Sequence, residues 1–450
     1  MEKIELTKKL YIKTYGCQMN IYDSDNMRDL MATIGYQKTD DISDANMVII
    51  NTCHIREKAT EKLYSDLGRV QKVKVKFEEK AADKMIVAVA GCVSQAEGKE
   101  IFRRSPIVDI IVGPESYQTL PDLVGRILRG QRKQIDLDFK PNNKFDILKE
   151  SRSTSQISNF VSVQEGCDKF CTFCVVPYTR GPEFSRNIID IYNETLAHAK
   201  NGTKEIYLLG QNVNAYHGLD EDGEVSNLSG LINKISEIPE IKRIRYTTSH
   251  PKDMDDDLIL CHGENKKLMP FLHLPVQSGS NDVLQKMNRK HTRQDYFKII
   301  EKLRAKNPNM GLSSDFIVGF PGETDKDFED TLDLIKKIKF SSCYSFKYSP
   351  RPGTAAADSN TQIDEDIKSK RLKILQELLN KQQMEFNQSF EGTEMPILVD
   401  KRGKKEGQIM GKSPWLQSVI LEDFNEKYFG QIVNVKIIKA RPNSLIAQIL

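Results

Sequence analysis

The sequence predicts an α/β protein in three parts. A parallel-sheet α/β domain occupies residues 1–150, a partial (β/α) barrel residues 151–386, and a small β-barrel residues 387–450. Three observations carry this expectation. Short apolar runs alternate with helix-forming runs along most of the chain, the pattern of βα units and a parallel sheet. Many of those apolar runs end in Gly, Cys, Asn, Gln or Ser, residue types that suit turns and sites at the C-terminal ends of strands. After Glu391-Gly392-Thr393 the helices stop and five short strand-like runs follow, which fits a small barrel.

In the first part, Lys9–Tyr15 reads as a strand that ends at Gly16-Cys17. Asn46–Thr52 reads as a second that ends at Cys53, and Met85–Ala90 as a third that ends at Gly91-Cys92. Val108–Gly113 follows without a cysteine, and helical stretches such as Ser24–Ile34 and Arg56–Val75 lie between the strands. Ligands of a parallel sheet collect outside the carboxyl ends of its strands. Cys17, Cys53 and Cys92 are therefore placed at one edge. One buried cysteine is explained by packing; three at the same position in successive βα units point to a three-thiolate site. Ser24 or Asp25 is a candidate helix cap or substrate contact. From Leu128 to Ser158 the chain turns polar and irregular, and the linker is placed there.

In the second part, Asn159–Glu165 reads as a strand that delivers the chain to Cys167, Cys171 and Cys174, spaced C-x3-C-x2-C. Thiolates are soft ligands, and such a cluster in a reducing cell points to a metal or iron–sulfur site. Three thiolates on a four-iron cubane leave one iron open. That iron could chelate the amino and carboxylate groups of S-adenosylmethionine and pass it one electron. A zinc knuckle or free thiols fit the spacing less well. Further strands are expected at Glu205–Leu209, Arg243–Thr248, Phe271–Val276, Leu312–Val318 and Ser342–Tyr348. Helices are expected at 188–200, 293–306 and 325–338. About six such units make an open (β/α) barrel with its site at the strand ends. Gly210 is first a turn residue; Gln211 and Asn212 either bind the amino group of S-adenosylmethionine or satisfy loop backbone. Of Ser314 and Asp315, neighbours within a strand, one is expected to face the barrel interior and reach a ribose. Arg180 and Arg186 suit a carboxylate, a phosphate or a structural salt bridge. His250, His273, Cys261 and Cys343 read as structural.

The second part closes with a charged helix, Ile367–Phe386, and the third holds strands at 396–399, 407–410, 419–421, 432–438 and 444–449. Lys401-Arg402-Gly403-Lys404-Lys405 forms a basic cluster, either a solvated turn or a surface of the kind with which small barrels hold RNA. At 450 residues, 39% apolar and 29% charged, the chain has the composition of a soluble globular protein of two or three domains. A net charge of +3 neither demands nor excludes a nucleic-acid partner. Eight cysteines are too sparse for a disulfide scaffold. Neither a signal peptide nor a membrane span is read, so a cytoplasmic location is expected.

Cys167 to Cys174, with Phe173 before the last cysteine, resembles the signature of the radical S-adenosylmethionine superfamily. Thr14-Tyr15-Gly16-Cys17-Gln18-Met19-Asn20, with Asp23-Ser24, and Asn51-Thr52-Cys53, with Ile55 to Ala59, are similar to the N-terminal domain of the methylthiotransferases. The closing Ile432–Leu450 pattern resembles the TRAM domain, an RNA-binding module. Within the methylthiotransferases, several stretches are similar to the MiaB type, which acts on prenylated tRNA. They are Lys13–Asn20, Cys174–Gly181, Leu208–Asn214 and Phe271–Ser280. Pro182, Phe184 and Pro414-Trp415 depart from that pattern, the last pair bearing on RNA contact.

The resemblance implies two 4Fe–4S clusters, one on Cys17, Cys53 and Cys92 and one on Cys167, Cys171 and Cys174. It implies that the second cleaves S-adenosylmethionine to a 5′-deoxyadenosyl radical. Sulfur at the first would be methylated by another S-adenosylmethionine, and the methylthio group would join carbon 2 of prenylated adenosine 37 of tRNA. Phe173, Gly210, Gln211, Asn212, Ser314 and Asp315 are the implied cofactor contacts. A flavodoxin or ferredoxin is the expected electron donor and a monomer the expected state. Two other readings are a RimO-type enzyme acting on an aspartate of a ribosomal protein and a non-enzymatic iron–sulfur protein that binds RNA or transfers electrons.

Overall fold

The computed structural model describes residues 8–54, 58–81, 83–139, 144–145, 156–422 and 425–450. The chain divides into two compact units. The first holds Met1–Ser153, Glu165–Asp168 and Val175–Phe184; the second holds Thr154–Gln164, Lys169–Cys174 and Ser185–Leu450.

The first unit runs β1 (Lys8–Thr14), α1 (Gln18–Ala32), β2 (Tyr36–Lys38), β3 (Met47–Asn51), α2 (Lys58–Ala81), β4 (Ile86–Ala90), α3 (Cys92–Glu97), α4 (Glu100–Arg104), β5 (Ile110–Val112), α5 (Leu120–Leu128) and β6 (Gln134–Asp136). The strands form one sheet in the order β2-β1-β3-β4-β5-β6, parallel throughout. Met47–Asn51 and Ile86–Ala90 are buried at every position, as strands covered on both faces are. Met27, Leu30 and Met31 of α1 and Leu120 and Leu123 of α5 pack on one face. Leu63, Leu67 and Val70 of α2 pack on the other.

The four strands expected here are present within two or three residues. β2 and β6 are three-residue strands, Tyr-Gln-Lys and Gln-Ile-Asp, too short and too polar to show as apolar runs. The helix expected at 24–34 starts at Gln18, so Ser24 and Asp25 lie inside it and cap nothing. In the expected linker, Lys144 and Phe145 are buried; residues 140–143 and 146–155 lie outside the described residues, as do Ile55, Arg56 and Glu57.

The next strands are β7 (Ser158–Ser162), β8 (Gln164–Glu165), β9 (Phe184–Ser185), β10 (Glu205–Leu209), β11 (Arg243–Thr247), β12 (Phe271–His273), β13 (Gly311–Val318) and β14 (Ser342–Lys347). In the second unit β7, β10 and β11 form one parallel sheet and β12, β13 and β14 another. A single parallel bridge, Ile244 to Leu268, joins the two sheets, which leaves an open run of six parallel strands. Helices Ile188–Lys200, Arg293–Lys306 and Asp325–Ile338 cover them with the bounds expected. The last two start in capping boxes, Thr292 with Asp295 and Thr324 with Asp327, which satisfy first-turn N–H groups reciprocally.

Helix Glu365–Gln388 leads to β15 (Glu394–Arg402), β16 (Ile409–Lys412), β17 (Ser418–Leu421), β18 (Ile432–Arg441) and β19 (Ser444–Ile449), a closed barrel. Its core is Ile397, Val399, Ile409, Val419, Val435, Ile437 and Leu445. Two buried arginines of β11 seat the barrel on the parallel strands. Arg243 donates to the carbonyls of Lys412 (2.6 Å) and Pro396 (2.9 Å). Arg245 donates to those of Pro414 and Ser413 (2.8 Å each) and pairs with Glu205 at 2.8 Å. Trp415 Nε1 donates to Asn309 O at 2.6 Å, and its ring lies so close to Gly311 that a Cβ there would come within 2.9 Å. Pro414-Trp415, the departure expected to bear on RNA contact, is thus a docking element.

Candidate active site

Cys17 occupies the N-cap of α1, Cys53 lies two residues past β3, and Cys92 opens α3. All three thus lie at the carboxyl edge of one sheet, where ligands of parallel sheets bind. Close backbone approach brings them together. A Cβ on Gly16, at φ +121°, would fall 2.3 Å from the Cys53 Cβ. A Cβ on Gly91, at φ +92°, would fall 2.4 Å from Asn51 Oδ1 and 2.6 Å from Thr52 O. Only glycine fits either place. Beneath them Asn51 Nδ2 donates to Asn20 O (2.8 Å) and to Ser24 Oγ (2.9 Å), and Ser24 Oγ also meets Thr14 Oγ1 at 2.7 Å. Ser24 therefore braces the strand ends.

The three thiols interact directly. Hydrogen bonding from Cys53, and then the charge of Arg180, bring Cys17 down to about 7 and Cys92 down to about 6, against the effect of burial. The same bonds push the Cys53 thiol up, because it keeps the proton its neighbours share. Deprotonated sulfur is the form that binds metal. Among the described residues, no three His, Cys, Asp or Glu side chains are arranged to hold a single metal ion.

Beside the trio lies a buried ion network with all its members in the first unit. Arg180 Nη2 is 2.7 Å from Asp23 Oδ2, and Arg180 Nη1 is 3.5 Å from Glu165 Oε2. Lys144 Nζ reaches Glu165 at 2.6 Å, Asp23 at 3.4 Å and Glu115 at 3.6 Å. Each of the five residues is at most 3% exposed. Burial and the Glu165 charge push the Glu115 carboxyl well above the usual range. Burial opposes ionisation of Glu165 too, yet Lys144, a bond from Glu115 and Arg180 hold it at about 2.

The C-x3-C-x2-C segment is anchored at many points. Cys167 belongs with the first unit, where its N–H donates to Gly181 O at 3.3 Å. Gly166, at φ +73°, runs so close to Pro182 that a Cβ would meet its carbonyl oxygen at 1.9 Å. Cys171 and Cys174 belong with the second unit and share one turn, Cys174 N–H donating to Cys171 O at 2.9 Å. Thr172 N–H donates to Met287 O at 3.1 Å, and Asn288 Nδ2 donates to the carbonyls of Lys169 and Phe170. Arg289 Nη1 is 3.5 Å from Cys171 Sγ. Lys169 Nζ binds Asp253 Oδ1 at 2.7 Å, and Asn212 Nδ2 binds Asp253 Oδ2 at 2.8 Å.

Of the cofactor candidates, Gly210 has no room for a side chain, since a Cβ would lie 2.6 Å from Gln164 Oε1. Asn212 is buried, its N–H donates to Gln164 Oε1 at 3.1 Å, and its Oδ1 has no hydrogen-bond partner among the described residues. Gln211 is half-buried beside it. Phe173 packs on Val283, Met287, Phe320 and Tyr348. Ser314 and Asp315 are separated by the strand period. Ser314 shares the face of Leu312, Phe316 and Val318, is fully buried and accepts from Val276 N–H at 2.9 Å. Asp315 lies on the opposite face, with His273 Nε2 at 3.6 Å. Of the two arginines, Arg186 pairs with Glu194 at 2.7 Å, a structural bridge. Asp23, Glu115, Lys144, Asp253 and Arg289 were not singled out in the sequence. Arg289 stands in the run Asn288-Arg289-Lys290-His291 after a short helix, a polar cluster that could have marked it.

Comparison with known proteins follows the same three parts. Residues 9–113 match Uncharacterized protein family UPF0004, residues 161–335 the Radical SAM superfamily, and residues 388–450 the TRAM domain. The fold is similar to that of the radical S-adenosylmethionine methyltransferase TsrM from Kitasatospora setae, solved with cobalamin and a 4Fe–4S cluster bound. The TM-score is 0.57 at 11% identity, over 78% of this chain and 74% of that one. It is also similar to the cobalamin-dependent S-adenosylmethionine radical enzyme OxsB, with a TM-score of 0.51 at 12% identity over 84% and 56% of the two chains. Identities this low show a likeness of fold. Two relatives, from Rickettsia canadensis (strain McKiel) and Rickettsia typhi (strain Wilmington), are each 57% identical over 99% of this chain and 100% of their own length. Both bear the name tRNA-2-methylthio-N(6)-dimethylallyladenosine synthase. With that identity along its whole length, the chain belongs to the family of tRNA-2-methylthio-N6-dimethylallyladenosine synthases.

Proposed function

We infer that this chain is a radical S-adenosylmethionine enzyme that converts N6-dimethylallyladenosine at position 37 of tRNA to its 2-methylthio derivative. The observation that carries this reading is full-length identity of 57% to synthases of that name. Cys17, Cys53 and Cys92 hold one 4Fe–4S cluster, and Cys167, Cys171 and Cys174 the other. The donor sets suit them: soft sulfur ligands, two of the first trio ionising readily, and a guanidinium beside Cys171. When bound, the clusters supply the electron that breaks S-adenosylmethionine and a place to hold sulfur, chemistry that carbon 2 of adenine requires because its hydrogen is not acidic.

The chain's own residues orient the reactants. Asn212, steadied by Asp253 and Gln164, offers its free Oδ1 to the amino group of S-adenosylmethionine, with Gln211 beside it. Gly210 leaves the space, Phe173 gives an apolar wall for the adenine, and Asp315 accepts a ribose hydroxyl. Ser314 supports the strand from behind. The C-terminal barrel, with Lys401, Arg402, Lys404 and Lys405 exposed, holds the tRNA. A base in an anticodon loop is turned out of its stack at lower cost than one in a duplex. No helix among the described residues is long and apolar enough to cross a membrane. The protein acts as a monomer in the cytoplasm, reduced by a flavodoxin or ferredoxin.

Anaerobically reconstituted protein, at about eight irons per chain for two cubane clusters, is assayed with prenylated tRNA and, separately, with a ribosomal-protein substrate. The 2-methylthio nucleoside and 5′-deoxyadenosine are measured by mass spectrometry. Turnover on the ribosomal protein alone rejects the tRNA reading, and no 5′-deoxyadenosine at all rejects an enzyme of this class.

A further inference from the structure

We propose that Tyr344 and Phe346 form the wall that receives the dimethylallyl group of the substrate adenosine, and so set the preference for prenylated over unprenylated tRNA. The inference rests on the reading of the chain as a methylthiotransferase of prenylated tRNA and deepens it.

Both residues stand on β14, the end strand of its sheet. Side chains alternate between the two faces of a strand. On β13, Leu312, Phe316 and Val318 cluster with Phe328 and Leu334 of helix Asp325–Ile338 and with Leu375 and Leu379 of helix Glu365–Gln388. The other face carries Ser313, Asp315 and Ile317 and looks into the open run of strands. Register extends this inner face to both neighbours: His273 of β12 lies opposite Ser313, Tyr344 opposite Asp315, and Phe346 opposite Ile317. Side-chain contacts agree. His273 Nδ1 meets Ser313 Oγ at 3.0 Å, and its ring meets that of Tyr344 edge-on, 6.2 Å between centroids. Ile317 packs on the cluster of Val283, Met287 and Phe320, as Phe173 does. The inner face thus has a polar half, His273, Ser313 and Asp315, and an apolar half, Tyr344, Phe346 and Ile317.

Strands of parallel sheets are as a rule covered on both faces. Tyr344 and Phe346 break that rule, at 59% and 43% exposure. Among the described residues no strand pairs with the outer edge of β14, so the open side of the run lies beside them. Exposed aromatic side chains rimmed by polar groups mark a binding surface, and sites of parallel β/α proteins lie at the carboxyl ends of the strands, where Phe346 and Ile317 stand. The dimethylallyl group fits this surface: it is a branched hydrocarbon without a hydrogen-bonding atom. It leaves the purine at N6, on a different edge from carbon 2, so it needs a wall of its own beside the reacting edge. Phe346 lies next to Ile317, which shares its cluster with Phe173. The prenyl wall therefore continues the apolar wall proposed for the adenine of S-adenosylmethionine, and Asp315 stands level with Tyr344 for the ribose.

The test uses the full-length, reconstituted protein and an anticodon stem–loop RNA that carries either N6-dimethylallyladenosine or plain adenosine beside the anticodon. Kd is measured by filter binding, and kcat and KM by release of the 2-methylthio nucleoside. The parent should bind the prenylated hairpin about tenfold or more tightly than the plain one, the scale on which an apolar pocket discriminates. Tyr344→Ala with Phe346→Ala should bring the prenylated hairpin close to the plain one in Kd, raise its KM and leave the Kd of the plain hairpin unchanged. Tyr344→Phe should keep the parent's ratio. A double variant with the parent's ratio, or with both hairpins weakened alike, overturns the proposal. So does a change of mass in light scattering with both Kd values unaltered, which assigns the face to contact with a second copy of the chain. A parent that methylthiolates tRNA but binds both hairpins alike overturns the proposal and leaves the tRNA reading standing. A parent that methylthiolates neither removes that reading and the proposal with it. Should the double variant hold fewer irons than the parent, the two single alanine variants decide by the same ratio: a fall in either supports the assignment, and a fall in neither overturns it.

Discussion

At the residue scale, two glycines decide whether the first thiolate trio exists. A Cβ on Gly91 has to overlap Asn51 and the Thr52 carbonyl, both backbone or held by backbone. Gly91→Ala therefore separates Cys92 from its partners. Iron should fall from about eight to about four per chain, as in Cys53→Ala, while 5′-deoxyadenosine release persists; Cys171→Ala should instead abolish that release. Iron assay and chromatography of the nucleoside distinguish the two patterns. His262 sets a second expectation. It is buried against the Tyr246 hydroxyl at 2.6 Å, and burial lowers it to about 3; burial likewise lowers His291 to about 4. The unfolded chain takes up these protons near pH 6.5 and the folded chain does not. Their stabilising effect is thus complete above about pH 6.5 and shrinks as pH falls toward 4. The urea midpoint should drop between pH 7.5 and 5, and less steeply in His262→Gln. The meeting of Cys17, Cys53 and Cys92 at one sheet edge was legible because each follows a strand. Arg180 was read as suiting a carboxylate among other partners, but nothing local marks Asp23, 157 residues away, as that carboxylate.

At the scale of elements, strands of a parallel sheet are continuous apolar runs, so β3, β4 and β10 could be placed to within a residue or two. Capped amphipathic helices such as Arg293–Lys306 were equally plain. The start of α1 was not, because Cys17 caps it without a side-chain hydrogen bond and leaves no Ser, Thr, Asp or Asn to read. Nor could alternation along β13 say which of Ser314 and Asp315 faces the helices; Phe316 against Phe340 settles that. The run from Arg243 was read only as a strand, and nothing in it marks its two arginines as the bolts of the terminal barrel. Arg245→Ala leaves Glu205 buried without its partner, a loss of about 3–5 kcal/mol for a broken buried pair. Chemical denaturation should register that loss, and limited proteolysis should release the barrel sooner than in the parent.

At the scale of the whole molecule, the order of domains was legible because each part has its own period: helix alternating with strand, then strands alone. Lys404 and Lys405 lie exposed in the turn after β15. Phosphate contacts carry a counterion cost that simpler packing does not. Lys404→Ala with Lys405→Ala should raise KM for tRNA severalfold, flatten its salt dependence and leave kcat close to the parent's, as steady-state kinetics at two salt concentrations would show.

The chain segments that complete the first unit come from beyond its sequence boundary: Glu165–Asp168 and Val175–Phe184 belong with Met1–Ser153. A fragment cut at residue 153 therefore lacks Glu165 and Arg180, so that Lys144 loses its shortest ion pair and Asp23 its guanidinium in a dry interior. Expressed by itself, such a fragment should aggregate or melt well below the intact chain. Borrowed pieces of this kind also forbid swapping the N-terminal segment between homologues as a cassette unless the loan travels with it.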